Sequence, residues 1–224
     1  MVATDDSRIA DVIRAVGGQV RMTSSAHQSG TDRLAEVART LTCDLVVNVQ
    51  GDEPLIEPAM IEQALQPLAA DPSLVMSTLR RRFEHPSEAS DPNVVKVVVD
   101  RRGFALYFSR AAIPYDRDRD SGFGIQDSVG AGGGASPESR IPNPDSHVYL
   151  YKHIGLFVYR RDFLLTLAGL EPTPLERAEA LEQLRALEHG YRIMAVETAY
   201  DSIGIDTPED LERVRRLVAA EARA

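Results

Sequence analysis

The apolar run Leu45–Val49 narrows most sharply what this chain can fold into. Such a compact run is typical of a strand covered on both faces. It lies between two stretches with helical spacing. Leu34, Val37, Ala38 and Leu41 precede it at i, i+3, i+4, i+7, and Ile61, Ala64, Leu65 and Leu68 follow it, with Pro58 near the first turn. Similar alternation runs along the chain. Val2-Ala3-Thr4-Asp5 reads as the end of a strand entering a helix that Asp6 or Ser7 caps, with Ile9, Val12, Ile13 and Val16 on one face and Gly17-Gly18 as its stop. Gln19–Thr23 and Leu74–Leu79 read as strands, and Val94–Val99 with Ala105–Phe108 as a hairpin around Asp100-Arg101-Arg102-Gly103. His147–Tyr159 and Ile193–Val196 are further strands. Helices are predicted over Asp162–Ala168, from Pro174 to Gly190 without a break, and after the cap Thr207-Pro208-Glu209-Asp210. Strands alternating with helices predict an α/β fold, a mostly parallel sheet flanked by helices.

One segment breaks the pattern. Residues 120–146 are rich in Gly, Ser, Pro and Asp and read as a flexible surface loop within a single domain, 1–224. The triplet Gly132-Gly133-Gly134 is not followed by a periodic helix, which a phosphate cradle requires.

Composition excludes several function classes. With 43% hydrophobic and 26% charged residues over 224 positions, the chain is neither disordered nor fibrous. Its net charge of −9 leaves no basic face for general nucleic-acid binding, though a local pocket for one nucleotide remains compatible. Cys43 is the only cysteine, so an intramolecular disulfide or cysteine-based zinc site is ruled out. No apolar run is long enough to span a bilayer, and Met1–Asp6 lacks signal-peptide character. The expectation is a cytoplasmic protein without membrane insertion.

Several residues can carry chemistry. Gln50-Gly51-Asp52-Glu53-Pro54 follows a strand, where ligands of open α/β sheets collect. Asp52 there either holds Mg²⁺ against phosphates or caps the next helix. Asp206, after Ile203-Gly204-Ile205, has the same two readings, and two strand-end acids can share metal ions against a triphosphate. The loop Gln28-Ser29-Gly30-Thr31-Asp32-Arg33 opens a helix and suits either a nucleotide or ordinary capping. Arg110, His153, Glu182 and Gln183 suit a hydroxyl-rich substrate with a carboxylate. Individually they also read as a surface ion pair, a partly buried imidazole and a solvated helix face.

Taken in order, the motifs Val46-Val47-Asn48-Val49-Gln50-Gly51-Asp52-Glu53-Pro54, Ala105-Leu106-Tyr107-Phe108-Ser109-Arg110, His153-Ile154-Gly155, Pro174-Leu175-Glu176, Leu181-Glu182-Gln183-Leu184-Arg185 and Gly204-Ile205-Asp206-Thr207-Pro208-Glu209-Asp210-Leu211 resemble the 3-deoxy-manno-octulosonate cytidylyltransferases, or CMP-Kdo synthetases. The resemblance covers nearly the whole chain apart from the glycine-rich loop. It implies a nucleotide-diphospho-sugar-transferase-like fold with a smaller mixed β part that supports a homodimer. It implies that CTP and Kdo give CMP-Kdo and pyrophosphate with Mg²⁺, for lipopolysaccharide assembly. By motif match, Asp52 and Asp206 would hold the metal, and Ser29, Gly30, Thr31, Arg33 and Gln50 would meet the cytidine part. Arg110, His153, Glu182 and Gln183 would meet Kdo. Three departures accompany it. The family's first strand and phosphate loop have no counterpart after Met1, so a segment on the order of 40 residues is expected upstream. Phe157 stands where the bacterial enzymes often have Tyr, and residues 120–145 run longer than usual. An inactive fragment, a sugar-binding module and a cytidylyltransferase for another sugar acid therefore stand as alternatives.

Overall fold

A computed structural model describes residues 1–27, 29–115, 150–205 and 207–221. The loop 120–146, Gln28 and Asp206 lie outside the described residues.

Strands β1 (Val2–Thr4) and β2 (Val20–Met22) pair in parallel, and α1 (Ser7–Ala15) is the crossover between them. The expected cap is present, with Asp6 accepting from the Arg8 N–H at 2.8 Å. The apolar face of α1 differs from expectation. Ile9, Val12 and Val16 are 48%, 64% and 78% exposed, and only Ala10 is buried among the described residues.

The main sheet contains β3 (Leu45–Val49), β4 (Met76–Arg82), β5 (Lys96–Val99), β6 (Ala105–Ser109), β7 (Tyr151–Arg160) and β8 (Ile193–Glu197). Its order is β6-β5-β7-β4-β8, with β3 also paired to β7. The sheet is mixed. β3, β4, β5 and β8 point one way, as expected of a largely parallel sheet, but β7 runs against them from the middle. β4 pairs along the length of β7, while β5 takes its first residues and β3 its last ones. Register shifts between Thr78 and Leu79, where Gly155 and Leu156 form a bulge in β7.

Helices cover both faces. On one, α3 (Pro58–Ala70) buries Met60, Ala64 and Leu68 against Leu79, Ile154, Leu156 and Val158. On the other, α2 (Gly30–Ala38) and α4 (Arg161–Ala168) cover Val46, Phe157, Tyr159 and Ile193. Burying one such Leu contributes roughly 2 kcal/mol. Arg160 joins the layers: its guanidinium caps the end of α3 through the Leu68 and Asp71 carbonyls at 2.7 and 3.0 Å.

The unbroken helix expected from Pro174 to Gly190 is two helices, α5 (Pro174–Glu179) and α6 (Gln183–Glu188). Ala180 separates them in the left-handed region, φ 52°. No Gly or Pro announces the break. Thr207 and Asp210 form the predicted reciprocal cap of α7 (Pro208–Glu221), at 2.9 and 3.2 Å.

Candidate active site

The carboxyl ends of β3, β4 and β8 lie together with the first half of β7. β3 stops at Val49, and the chain turns through Gln50–Glu53, closed by a 3.2 Å bond from the Glu53 N–H to the Gln50 carbonyl. This turn docks on two partners. Ile205 N–H donates to the Asp52 carbonyl at 2.9 Å, so the segment leading to Asp206 lies beside Asp52. The Ser202 hydroxyl donates to the Glu53 carboxylate. The third neighbour is Gly155, where an added Cβ would stand 3.1 Å from Glu53 Oε1 and 3.7 Å from Gln50 Cγ. Asp52 itself is exposed, and its carboxylate has no hydrogen-bond or ion-pair partner among the described residues.

The loop after β8 is pinned by charge. Lys152 Nζ meets Asp201 at 2.7 Å and Glu88 at 2.9 Å, and Arg81 meets the other Asp201 oxygen at 2.6 Å. Burial opposes ionisation of Asp201, yet its hydrogen bond and ion pair with Lys152, reinforced by Arg81, hold its carboxyl below the ordinary value.

His153 lies deeper. Its ring stands edge-on to Phe108, centroids 5.1 Å apart, and 5.0 Å from Phe157. This enclosure pushes its pKa down to about 3, so the imidazole is neutral at pH 7. The fully buried Thr78 sets the tautomer. Its hydroxyl lies 2.7 Å from the Leu156 carbonyl and 2.8 Å from His153 Nε2. The single hydroxyl proton goes to the carbonyl, so Nε2–H must donate to Thr78 Oγ1, which leaves Nδ1 as an acceptor.

Two residues predicted for different substrates touch each other. Thr31, in the first turn of α2, donates to Glu182 at 2.6 Å. Behind them Tyr159 is buried, which raises its pKa. Ser29 caps α2 by accepting from Asp32 N–H at 3.1 Å, and Gly30 begins the helix. Arg33 turns toward the small sheet, 2.5 Å from Thr23 Oγ1 and 3.2 Å from Asp5. Gln183 is buried at the start of α6. Next to it Arg185 makes a buried two-point pair with Glu176 at 2.5 and 2.8 Å, a structural contact between α5 and α6. Arg110 follows β6 and is bound by Glu179, which sequence reasoning missed. The pair is 69 residues apart and leaves no local pattern.

A mixed α/β sheet with an acid at its carboxyl edge and a cation beyond it suits nucleotide transfer. The chain belongs to the cytidylyltransferase family, whose profile matches residues 1–193. A 3-deoxy-manno-octulosonate cytidylyltransferase of Syntrophotalea carbinolica is 57% identical over 214 residues, covering 96% of this chain and 79% of its own length. The Geobacter metallireducens enzyme of the same name is 54% identical over 214 residues, 96% of this chain and 78% of that one. Among solved structures, a CMP:2-keto-3-deoxy-manno-octonic acid synthetase complexed with CTP superposes with a TM-score of 0.81 at 40% identity, covering 98% and 80% of the two chains. An inositol-1-phosphate CTP transferase from T. maritima shares the fold alone, with a TM-score of 0.57 at 14% identity. No helix among the described residues is long and apolar enough to cross a membrane.

Proposed function

We propose that this protein transfers the cytidylyl group of CTP to 3-deoxy-manno-octulosonate, giving CMP-Kdo and pyrophosphate. The observation that carries this reading is 57% identity, across 96% of the chain, to an enzyme named for that reaction. The sugar hydroxyl attacks the α-phosphorus, the bond to pyrophosphate breaks, and the hydroxyl proton leaves. Transfer at phosphorus asks the protein mainly for positioning and charge.

The site residues support a division of labour. Asp52 offers a free, hard carboxylate at a strand end, which fits Mg²⁺, a metal that needs only one or two carboxylates beside substrate phosphates. Among the described residues no three acids, His or Cys cluster, so the phosphates would supply the remaining ligands. Asp206 is proposed as the second acid. The metal would neutralise the phosphates and the leaving group. Gln50 and the Ser29–Arg33 segment are assigned to the nucleotide, through the exposed strand-end turn and the α2 N-terminus. Arg110, His153, Glu182 and Gln183 are assigned to the acidic sugar. Neutral His153 presents Nδ1 as an acceptor for a sugar hydroxyl.

Cytoplasmic location and a homodimer built on the β5–β6 hairpin belong to the same proposal. Among the described strands β6 lies at the edge of the sheet, and Leu106 on it is 62% exposed. Light scattering of the purified chain tests the dimer. The reaction is tested by pyrophosphate release from CTP plus Kdo with and without Mg²⁺. Metal-dependent release is expected, and no release with any sugar acid counts against the proposal. A related sugar acid is the second reading, favoured by Phe157, which sets a bare ring against His153. A panel of sugar acids separates the two.

A further inference from the structure

Arg110 is held from both sides, yet among the described residues no carboxylate forms an ion pair with its guanidinium. On one side stands Glu179, the last residue of α5. Its Oε2 accepts the Arg110 main-chain N–H at 2.8 Å, and Oε1 accepts the Ser109 and Tyr107 hydroxyls at 2.7 and 3.3 Å. Its main-chain oxygen accepts Arg110 Nε–H at 2.9 Å. On the other side stands Lys96, which is fully buried. Its ammonium donates to the carbonyls of Arg110, Asp91 and Val94, at 2.5, 2.8 and 2.7 Å. Three protons meet three acceptors, so this buried cation is saturated. Arg110 Nη1 reaches the Pro92 carbonyl at 3.0 Å.

An anion thus holds the Arg110 N–H, a cation holds its C=O, and neutral carbonyls hold Nε and Nη1. Nη2 has no hydrogen-bond partner among the described residues, and no carboxylate there forms an ion pair with this guanidinium. A fixed guanidinium with a free edge is the geometry for receiving a carboxylate. The left-handed Ala180 ends α5 immediately after Glu179, where that residue offers β6 both its side chain and its carbonyl.

We propose that Glu179 and Lys96 are positioning residues that fix Arg110 so that its free edge receives the carboxylate of the sugar acid. This rests on the assignment of Arg110 to that substrate. The test is calorimetric titration of Kdo, and separately of CTP, into the full chain and its variants Arg110→Ala, Glu179→Ala and the double variant. Each single variant is expected to weaken Kdo about tenfold or more and to leave CTP within about twofold. The double variant is expected to lose no more than Arg110→Ala, because Glu179 acts only through Arg110. If Arg110→Ala leaves Kdo binding intact, the assignment of Arg110 fails. If Arg110→Ala weakens Kdo but Glu179→Ala does not, or their losses add, the positioning role is overturned and the assignment stands. Absence of Kdo binding by the unaltered chain overturns both. Should Glu179→Ala not fold, Glu179→Gln decides. Its amide keeps only one of the two acceptor positions that now face the Arg110 N–H and the Ser109 hydroxyl. Faster exchange of the Arg110 amide with weakened Kdo binding is expected, and an unchanged Kd overturns the role.

Discussion

The end of β3 and the end of β6 handle polar groups in opposite ways. After β3, Asp52 is bound among the described residues only through its main-chain oxygen, and its carboxylate has no partner there. After β6, nearly every polar atom of Arg110 is occupied by the protein. The contrast fits what each would bind. A metal ion arrives with its own waters and phosphates and needs a free oxygen ligand. A carboxylate must be recognised in one orientation, which a long flexible side chain provides only when immobilised.

The largest expected effect breaks the comparison at its open end. Asp52→Ala should lower Mg²⁺-dependent turnover by about a hundredfold or more. It should leave the melting temperature unchanged, because no side-chain bond among the described residues is lost. A large fall in melting temperature would show that Asp52 is structural instead. At a saturated contact inside the sheet, between β4 and β7, the balance should reverse. Thr78→Val removes the acceptor of His153 Nε2–H in the core, and urea melts should show a loss of about 1–3 kcal/mol, while Thr78→Ser restores most of it.

Acid should act on the same spot. The folded His153 pKa, about 3, lies below its unfolded value near 6.5. Between those values the unfolded chain binds a proton that the folded chain does not. Stability is therefore full above about pH 6.5 and falls as pH drops toward 3. From pH 6.5 to 5 the loss from this group should reach about 2 kcal/mol in the native chain. His153→Phe should flatten that slope, and an unaltered slope would remove His153 as its source. The smallest effect concerns Ala180. Replacing it by Gly relieves the left-handed conformation and should stabilise the fold by roughly 0.5–1 kcal/mol in the same melts.

Features with a local physical cause were readable in the sequence. Packing of Val46 into one core cluster and of Leu45 and Val47 against the other wrote Leu45–Val49 as an apolar run, although Val49 at its end is exposed. The Thr207–Asp210 cap wrote itself as a hydroxyl three residues before an acid. The hairpin at Asp100–Gly103 needed a left-handed turn, and Gly103 supplies it at φ 87°. Features with a distant cause were not readable. The α5–α6 break sits at an alanine whose conformation accompanies contacts between Glu179 and β6. The direction of β7 depends on which strands it meets, which its own alternation does not encode. Of the site, the strand-end turn, His153 and Arg110 were visible as motifs. Their supports Thr78, Glu179 and Lys96 were not, because a buried Thr, a helix-end Glu and a strand Lys look ordinary until their partners are known.

One strand carries a mechanical consequence. β7 is ten residues long, with β4 along one flank and β5 and then β3 along the other. It is a beam common to the part that holds Asp52 and the part that holds Arg110. Bending the molecule between those parts would mean breaking a ladder in mid-strand, so the span from Asp52 to Arg110 is set by the length of a strand.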